Sequence, residues 1–272
     1  MTLLYIAAGL IGLLIIYSVL LAPGRVSSGS QSLWAIDYAH RGLYKKDQSI
    51  PENSMSAFSE AVAAGYGIEL DLNITSDSQI VVFHDDQMLR ACGVDKAVEE
   101  CTFEELQTYR LFGTEEKIPL LTEVLSLIGG RVPLIIELKV SRRYKELSAL
   151  SAEILDSYSG AYCIESFDPR IVHWFFKNRP NTVRGQLAAG LKRYSLTPFY
   201  QGFAMSSLLT NISARPHFVA YRHEDCHRKM GLRYFKMLGG KLVAWTVRET
   251  DDIIRCRRFF DAIIFEFFRP QH

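Results

Sequence analysis

Two short apolar stretches of this sequence carry charged residues at alternating positions. In one, Glu69 and Asp71 alternate with aliphatic residues, and in the other Glu137 and Lys139 do so. Because successive side chains of a β-strand point to opposite faces, each pair shares one face of its strand. A parallel strand is buried on both sides, so such charges are costly unless they are paired or bind a metal ion.

The three acidic residues suit a hard divalent cation. Glu69, Asp71 and Glu137 offer carboxylate oxygens, the ligands that Ca²⁺ and Mg²⁺ prefer, and no cysteine or histidine cluster of the kind zinc prefers lies beside them. The residues leave a second interpretation open, in which Lys139 and Arg41 neutralise the acids in a structural network of ion pairs. The choice between Ca²⁺ and Mg²⁺ also stays open.

Two histidines each end a short apolar stretch. His40 and His84 are followed directly by charged residues, Arg41 and Asp85. Imidazole titrates near neutral pH, so the pair is interpreted as a general acid and a general base. Arg41 and Lys139 are cations that can hold phosphate oxygens. A divalent cation, two imidazoles and two cationic side chains together suit cleavage of a phosphodiester.

The elements that must position these residues alternate between strands and helices. Strands are predicted at residues 34–39, 67–73, 80–84, 133–138, 161–165, 182–187, 217–221, 241–246 and 261–265. Helices are predicted at residues 54–64, 120–128, 144–158 and 170–177, the first with Asn53 as its N-cap. With 80–84 set aside as an extra strand, eight remain, which predicts the α/β class and a (β/α)8 TIM barrel. An open doubly wound sheet is the alternative, but no GxGxxG motif follows a strand.

Two connections depart from a regular barrel. Residues 85–119 predict an enlarged loop with one short helix over 102–109, on the face where such barrels keep their active sites. Few residues follow the last strand, so we expect the barrel to lack a full eighth helix. We expect the apolar side chains left there, Phe265, Phe267 and Phe268, to be covered by residues 33–34 or by lipid.

The start of the chain predicts a membrane anchor. Residues 3–22 contain no charged side chain, and twenty apolar residues are the length a helix needs to cross a bilayer. A secretory signal is the alternative, but it would place Lys or Arg before the apolar stretch and a small-x-small cleavage site after it. Arg25 follows the stretch and no cation precedes it, which favours a cytoplasmic catalytic domain. The predicted organisation is a transmembrane anchor over 1–22, a linker over 23–33 and a catalytic domain over 34–272.

Composition excludes some classes of protein. The chain of 272 residues has a net charge of +1 and no dense Lys/Arg run, which argues against a general nucleic-acid binder. Its 5 cysteines are scattered and contain no CxxC, so no disulfide framework is predicted. Nothing in the sequence indicates the oligomeric state.

Seven short motifs, in their order along the chain, resemble those of the glycerophosphodiester phosphodiesterases. They are AHRG (39–42), PENS (51–54), GIELDLN (67–73), VVFHDD (81–86), IELK (136–139), SF (166–167) and AWTV (244–247). The resemblance covers residues 36 to about 266. It implies a (β/α)8 barrel that uses a divalent cation to hydrolyse glycerophosphodiesters to sn-glycerol 3-phosphate and an alcohol, in the metabolism of phospholipid-derived glycerol.

The resemblance also implies a role for each matching residue. It makes Glu69, Asp71 and Glu137 metal ligands, His40 and His84 the acid–base pair, Arg41 and Lys139 phosphate ligands, and Trp245 and Phe167 neighbours of the glycerol or alcohol. Asn53 would brace the mouth of the barrel. The family's usual GIITD-x-P run is altered here, because Phe265 and Glu266 stand in place of its Thr and Asp. The role of that segment therefore stays open.

The sequence also suggests other functions. The anchor motivates a lysophospholipase D-like enzyme acting on lysophospholipids. A non-catalytic barrel that binds phosphate head groups would lack a metal ligand or a histidine, and none is missing. Residues 223–227 match the HExxH pattern of zinc proteases, but no third ligand is evident. Two carboxylates on a barrel also suggest a glycosidase, but a protonated acid is hard to maintain among the cations here. The residues do not decide which histidine is the acid, or whether water or the glycerol 2-hydroxyl attacks first.

Overall fold

A computed structural model describes residues 1–25, 28–226, 230–248 and 253–270. Its strands are β1 (Tyr38–Ala39), β2 (Gly67–Ile74), β3 (Ile80–Val82), β4 (Leu134–Leu138), β5 (Tyr162–Ser166), β6 (Arg184–Ala188), β7 (Phe218–Arg222), β8 (Lys241–Val247) and β9 (Ala262–Phe265). Its α-helices are α1 (Thr2–Leu21), α2 (Met55–Ala63), α3 (Leu89–Cys92), α4 (Phe103–Leu106), α5 (Leu121–Ile128), α6 (Tyr144–Asp156), α7 (Pro169–Asn178), α8 (Phe199–Ser206), α9 (Asn211–Ala214), α10 (Met230–Met237) and α11 (Ile253–Phe259). Short 3₁₀ helices span Ser28–Trp34, Val98–Glu100, Leu111–Gly113, Leu191–Tyr194 and His223–Asp225.

Eight of these strands close into a parallel barrel. The hydrogen-bonded order is β1, β2, β4, β5, β6, β7, β8 and β9, and β9 pairs in parallel with β1. The ninth strand, β3, pairs antiparallel with β2 and stands outside the barrel order. The predicted TIM barrel is confirmed, and the open doubly wound sheet is not found.

The alternation of side chains divides each strand between the two sides of the barrel wall. Leu70 of β2 lies in the large apolar cluster that the strands share with the surrounding helices. Ile135 of β4 and Phe218 of β7 lie in a separate cluster inside the barrel. Glu137 shares the face of Ile135 and comes two residues nearer the carboxyl end of its strand. The barrel interior is therefore apolar at its lower end, where the strands begin, and acidic at its mouth, where the strands end.

The first strand is shorter than the predicted 34–39. The chain coils as a 3₁₀ helix up to Trp34, whose ring meets the ring of Phe218 edge-on at 5.4 Å. Leu33 is buried in the interior cluster, and its carbonyl accepts a hydrogen bond from the Tyr38 hydroxyl at 2.9 Å. These apolar side chains close the lower end of the barrel instead of extending the strand.

No helix follows β9 among the described residues, as expected. The Phe265 ring contacts the rings of Tyr66 at 4.8 Å and Phe268 at 5.6 Å, and the Phe267 ring contacts Tyr44 at 5.3 Å. The expectation that residues 33–34 cover this patch is wrong, because that segment packs into the lower end of the barrel. Phe265 is buried, whereas Phe267 is 38% exposed, and its cover by lipid stays a prediction.

The long connection between β3 and β4 packs as a unit of its own. A third apolar cluster includes Val81, Met88 and Leu106. The helix predicted over 102–109 is the shorter α4, whose first turn is capped by the Thr102 hydroxyl accepting from the Glu105 N–H at 3.2 Å. The sequence predicted one helix in this loop, and the structure has a second α-helix there, α3.

His217, just before β7, makes the fold sensitive to acid. Its ring is buried, and its Nδ1 accepts a hydrogen bond from the Arg184 N–H at 3.1 Å. Burial and the Arg184 guanidinium lower the pKa of His217 from 6.5 to about 4. The unfolded chain therefore takes up this proton at a higher pH than the folded chain, and the stabilisation that His217 provides above pH 6.5 is lost as the pH falls towards 4.

We expect this histidine to cost about 2 kcal/mol of unfolding free energy between pH 7 and pH 5. His217→Asn keeps an acceptor for the Arg184 N–H but does not titrate. Between pH 7 and pH 5 the variant should therefore lose about 2 kcal/mol less unfolding free energy than the wild type. Urea unfolding of both proteins at the two pH values measures the difference. An equal loss in both would contradict the assignment.

Candidate active site

The predicted site residues meet in one cavity at the carboxyl ends of the barrel strands. The cavity has a volume of roughly 680 Å³, and its lining includes His40, Arg41, Glu69, His84, Glu137, Lys139, Phe167 and Trp245. The ninth predicted residue, Asp71, is buried in contact with Arg41 and Lys139. Residues from five barrel strands or their ends are thus brought together.

The three acidic residues form one buried cluster. Glu69, Asp71 and Glu137 each offer a carboxylate oxygen, and these oxygens lie within 4.8 Å of one another. Burial and the charges of Asp71 and Glu137 raise the pKa of Glu69 well above its usual range. Burial would also raise the pKa of Asp71, but Lys139, His84 and Arg41 hold it well below the usual range. A divalent cation would relieve this repulsion, so the donor set fits Ca²⁺ or Mg²⁺.

Two cationic side chains border the cluster. Lys139 Nζ lies 2.9 Å from Glu137 Oε1 and 3.3 Å from Asp71 Oδ1. Arg41 Nε lies 3.4 Å from Asp71 Oδ2, and the Arg41 backbone N–H donates to Glu69 Oε2 at 3.0 Å. The ion-pair network considered from the sequence is therefore present around Asp71. Glu69, in contrast, accepts a hydrogen bond from the neutral backbone amide of Arg41, and its pKa is raised.

A tight turn after β1 holds Arg41 in place. Arg41 and Gly42 both have positive φ angles, 54° and 79°. A Cβ atom at Gly42 would lie 2.8 Å from the backbone of Ala57, so only glycine fits this approach to α2.

Asn53 supports the acid cluster instead of capping α2. Its side-chain N–H donates to Asp71 Oδ2 at 2.8 Å. Ser54 is the N-cap, with its hydroxyl accepting from the Ala57 N–H at 3.2 Å. The predicted cap was one residue too early.

A carboxylate binds the first histidine. His40 Nδ1 and Glu266 Oε2 are 2.8 Å apart, and the Tyr44 hydroxyl donates to the same oxygen at 2.7 Å. Burial would raise the pKa of Glu266, but the contacts with His40, Tyr44 and Arg248 lower it to about 2. Burial and Arg41 lower the pKa of His40, and Glu266 opposes that shift. Glu266 is ionised at neutral pH and fixes the orientation of the ring.

A carboxylate also binds the second histidine. His84 Nδ1 and Asp85 Oδ1 are 2.6 Å apart, and Arg90 Nε donates to the other oxygen of Asp85 at 2.6 Å. The Arg90 guanidinium also donates to Glu52 Oε1, and the same oxygen accepts from Arg41 Nη1 at 2.7 Å. One polar network therefore links the second histidine to the phosphate-binding candidate Arg41.

We expect Glu266→Ala to lower kcat about 10- to 100-fold with a smaller change in KM, because His40 loses the group that orients it. Glu266→Asp keeps a carboxylate and should retain more of the rate than the alanine variant. Steady-state kinetics with circular dichroism as a folding control measures both. Equal rates for the alanine variant and the wild type would contradict this role.

Two aromatic residues form another part of the wall. The rings of Phe167 and Trp245 meet edge-on at 5.6 Å. The indole N–H of Trp245 is buried without a hydrogen-bond partner among the described residues. The two rings give this part of the cavity wall an aromatic face.

Sequence reasoning missed several residues of the cavity. Glu165 pairs in register with Glu137, lines the cavity, and has a buried Oε2 without a partner in the described parts of the chain. Burial, Glu137 and Asp71 raise its pKa well above the usual range. Its place near the carboxyl end of an apolar strand was a usable signal. Arg193 and Tyr194, from the connection after β6, carried no such signal.

The HExxH match does not form a second site in the described residues. His223 is buried in the 3₁₀ helix His223–Asp225. His227 lies outside the described residues. The acid cluster at the mouth is the group of potential metal ligands found in the described ranges.

A closed (β/α)8 barrel whose mouth combines a buried acid cluster, two carboxylate-bound imidazoles and two cations is typical of a metal-assisted phosphodiester hydrolase. Residues 40–268 match the Glycerophosphoryl diester phosphodiesterase family. The chain belongs to this family and is a phosphoric diester hydrolase.

Similar proteins and structures match all or part of the catalytic region of the chain. A glycerophosphodiester phosphodiesterase from Caldanaerobacter subterraneus subsp. tengcongensis is 28% identical over 239 residues, which cover 80% of this chain and 87% of that protein. A lysophospholipase D from Rattus norvegicus is 37% identical over 103 residues, 33% of this chain and 32% of that protein. The structure of an Oleispira antarctica phosphodiesterase in complex with the product sn-glycerol-3-phosphate has the same fold, with a TM-score of 0.71 at 20% identity over 87% of this chain and 94% of that one.

Proposed function

We propose that this enzyme hydrolyses glycerophosphodiesters to sn-glycerol 3-phosphate and an alcohol in the cavity at the barrel mouth. Glu69, Asp71 and Glu137 would hold a divalent cation, Ca²⁺ or Mg²⁺. The observation that carries the proposal is the cluster of three buried carboxylates within 4.8 Å, in one cavity with two imidazoles. Family membership supports the same reaction.

The side chains divide the work of hydrolysis. A bound cation would supply Lewis acidity and neutralise negative charge on the phosphate. Arg41 and Lys139 bind the phosphate oxygens, Arg41 as a planar fork and Lys139 as a point charge. One imidazole removes a proton from the attacking oxygen, and the other protonates the departing alkoxide.

The carboxylate contacts select the reactive nitrogen of each imidazole. Because Nδ1 of His40 is bound by Glu266 and Nδ1 of His84 by Asp85, Nε2 is the proton-transfer atom in both rings. The ionised Glu266 also stabilises the imidazolium form of His40. Trp245 and Phe167 would contact the glycerol or the alcohol, as the resemblance implies.

Product analysis tests the substrate. Glycerophosphocholine should yield sn-glycerol 3-phosphate and choline, identified by mass spectrometry. A second candidate substrate is a lysophospholipid, which the apolar α1 and the lysophospholipase D relative favour. Release of lysophosphatidate from lysophosphatidylcholine, with none of the first reaction, would replace the first candidate by the second.

The apolar α1 supports a membrane-bound enzyme. Its window Leu4–Leu21 is long and apolar enough to cross a membrane, with a mean hydropathy of 2.5 and 6% of the window buried. We place a transmembrane anchor in residues 1–22, a linker in 23–33 and the catalytic domain in 34–272. Arg25, Lys45 and Lys46 follow α1, which favours a cytoplasmic catalytic domain. Protease added outside sealed cells should leave this domain intact, and its digestion would reverse the orientation.

A further inference from the structure

The helix α1 lies along the barrel wall and points towards the mouth. Near its end, the Arg215 guanidinium donates to the Val19 carbonyl at 2.5 Å, and Arg215 precedes β7 at the lower end of the barrel. Tyr17 stacks on Tyr234 at a centroid distance of 5.5 Å, and its hydroxyl lies 3.1 Å from where a Cβ of Gly231 would be. Gly231 lies in the first turn of α10, which returns from the mouth. The C-terminal end of α1, at Val19, therefore lies at the lower end of the barrel, and Tyr17 lies nearer the mouth. The N-terminal part of α1 continues in the direction of the mouth.

The rest of α1 extends beyond the barrel on that side. Residues 2–16 are helical and, where their burial is described, almost all exposed. At 1.5 Å per residue they extend about 22 Å past the wall, a large part of the hydrocarbon thickness of a bilayer. A bilayer crossed by α1 would therefore lie over the barrel mouth.

The connection between β6 and β7 exposes apolar side chains on the same side. We call four of these residues the aromatic surface. They are Leu196, Phe199, Tyr200 and Phe203, and their side chains are 100%, 73%, 70% and 48% exposed. The rings of Phe199 and Phe203 stack at 6.2 Å. A contiguous exposed patch of large apolar side chains marks an interaction surface more often than a free one.

This aromatic surface is continuous with both α1 and the active site. Phe203 and Tyr17 line a common cavity of roughly 270 Å³ between α8 and α1. The same connection contributes Arg193 and Thr197 to the wall of the active-site cavity. Lys192 and Arg193 add positive charge beside the apolar side chains, as suits a surface with anionic lipid head groups.

We propose that the aromatic surface inserts into the interfacial region of the bilayer that α1 crosses, so that the active-site mouth opens against the membrane. Aromatic side chains prefer this region, where one end is apolar and the other wet. A phosphodiester that carries an acyl chain would then reach the cavity without leaving the lipid. The inference rests on the proposed anchor.

Fluorescence of the full chain in vesicles tests the surface directly. The Phe199→Trp variant is reconstituted into phosphatidylcholine–phosphatidylglycerol vesicles with brominated acyl chains, and the emission of the unsubstituted chain is subtracted. We expect the emission of the introduced indole to shift to the blue and to lose intensity through bromine quenching. Met237→Trp is the matched control, because Met237 is 79% exposed at the far end of α10 and an indole there should be neither shifted nor quenched.

The outcomes separate this inference from the anchor. Flotation of the Phe199→Trp variant with vesicles, but with unshifted and unquenched emission from its introduced indole, would overturn the inference and leave the anchor standing. Failure to float would overturn both. A blue shift that appears without lipid and grows with protein concentration would assign the surface to a second copy of the chain and overturn the inference.

A triple variant adds an activity readout. Leu196→Ser, Phe199→Ser and Tyr200→Ser together should lower hydrolysis of lysophosphatidylcholine in vesicles several-fold. Hydrolysis of soluble glycerophosphocholine should change less than twofold, since none of the three side chains lines the active-site cavity. Equal losses on both substrates would contradict a membrane role.

Discussion

Replacing His40 or His84 by alanine should lower kcat about 10²- to 10⁴-fold, the usual contribution of one proton-transfer group. Each ring lines the cavity with its Nδ1 held by a carboxylate, which leaves Nε2 for the reaction. In the proposed mechanism, loss of either ring removes the acid or the base. The double variant should therefore be little slower than the slower single variant, because residues that act as a unit are not additive.

The matched control for these variants is His173→Ala. His173 lies on α7, outside the cavity, where its Nδ1 lies 2.5 Å from the Ser213 carbonyl oxygen. Initial rates of glycerol 3-phosphate release should be unchanged within a factor of about two in this variant. A full rate in His40→Ala or His84→Ala would contradict the acid–base assignment.

Glu69→Gln should greatly reduce the stabilisation of the protein by divalent cations. Wild-type protein should gain about 2.7 kcal/mol of unfolding free energy at a cation concentration 100 times Kd, because the cation binds the folded state. Glu69→Gln removes one of the three ligands and should lose most of this gain. Without cation the variant should be at least as stable as the wild type, since a buried carboxylate with a raised pKa is removed from beside Asp71 and Glu137.

Thermal unfolding with Ca²⁺, with Mg²⁺ and with a chelator measures this effect. Glu115→Gln is the matched control, because the Glu115 side chain is fully exposed outside the cluster. It should keep the full response to the cation. A Glu69→Gln variant with a wild-type shift would place the cation elsewhere.

The core of the site could be predicted because local periodicity fixes it. Glu69 and Asp71 must share a face of β2, and parallel strands bring that face next to Glu137 at one end of the barrel. Eight strand-like stretches with helical spacing between them predicted the barrel for the same reason. In a barrel built from repeated strand–helix units, all strands end at the same face, so the strand ends could be placed together from the sequence.

The remaining features depend on contacts that are distant in sequence. Glu266 is 226 positions from His40, and its place in an altered family motif concealed its contact with the imidazole. The first strand is short because Trp34 packs against the ring of Phe218 at the lower end of the barrel. Strand propensity alone could not anticipate that competing contact.

The most direct test of the account is release of sn-glycerol 3-phosphate from glycerophosphocholine by the full chain, with Ca²⁺ or Mg²⁺ and with a chelator. We expect release with at least one of the two cations, loss of release on chelation, and recovery when the cation is returned in excess. Undiminished release in the presence of the chelator would contradict the role assigned to Glu69, Asp71 and Glu137.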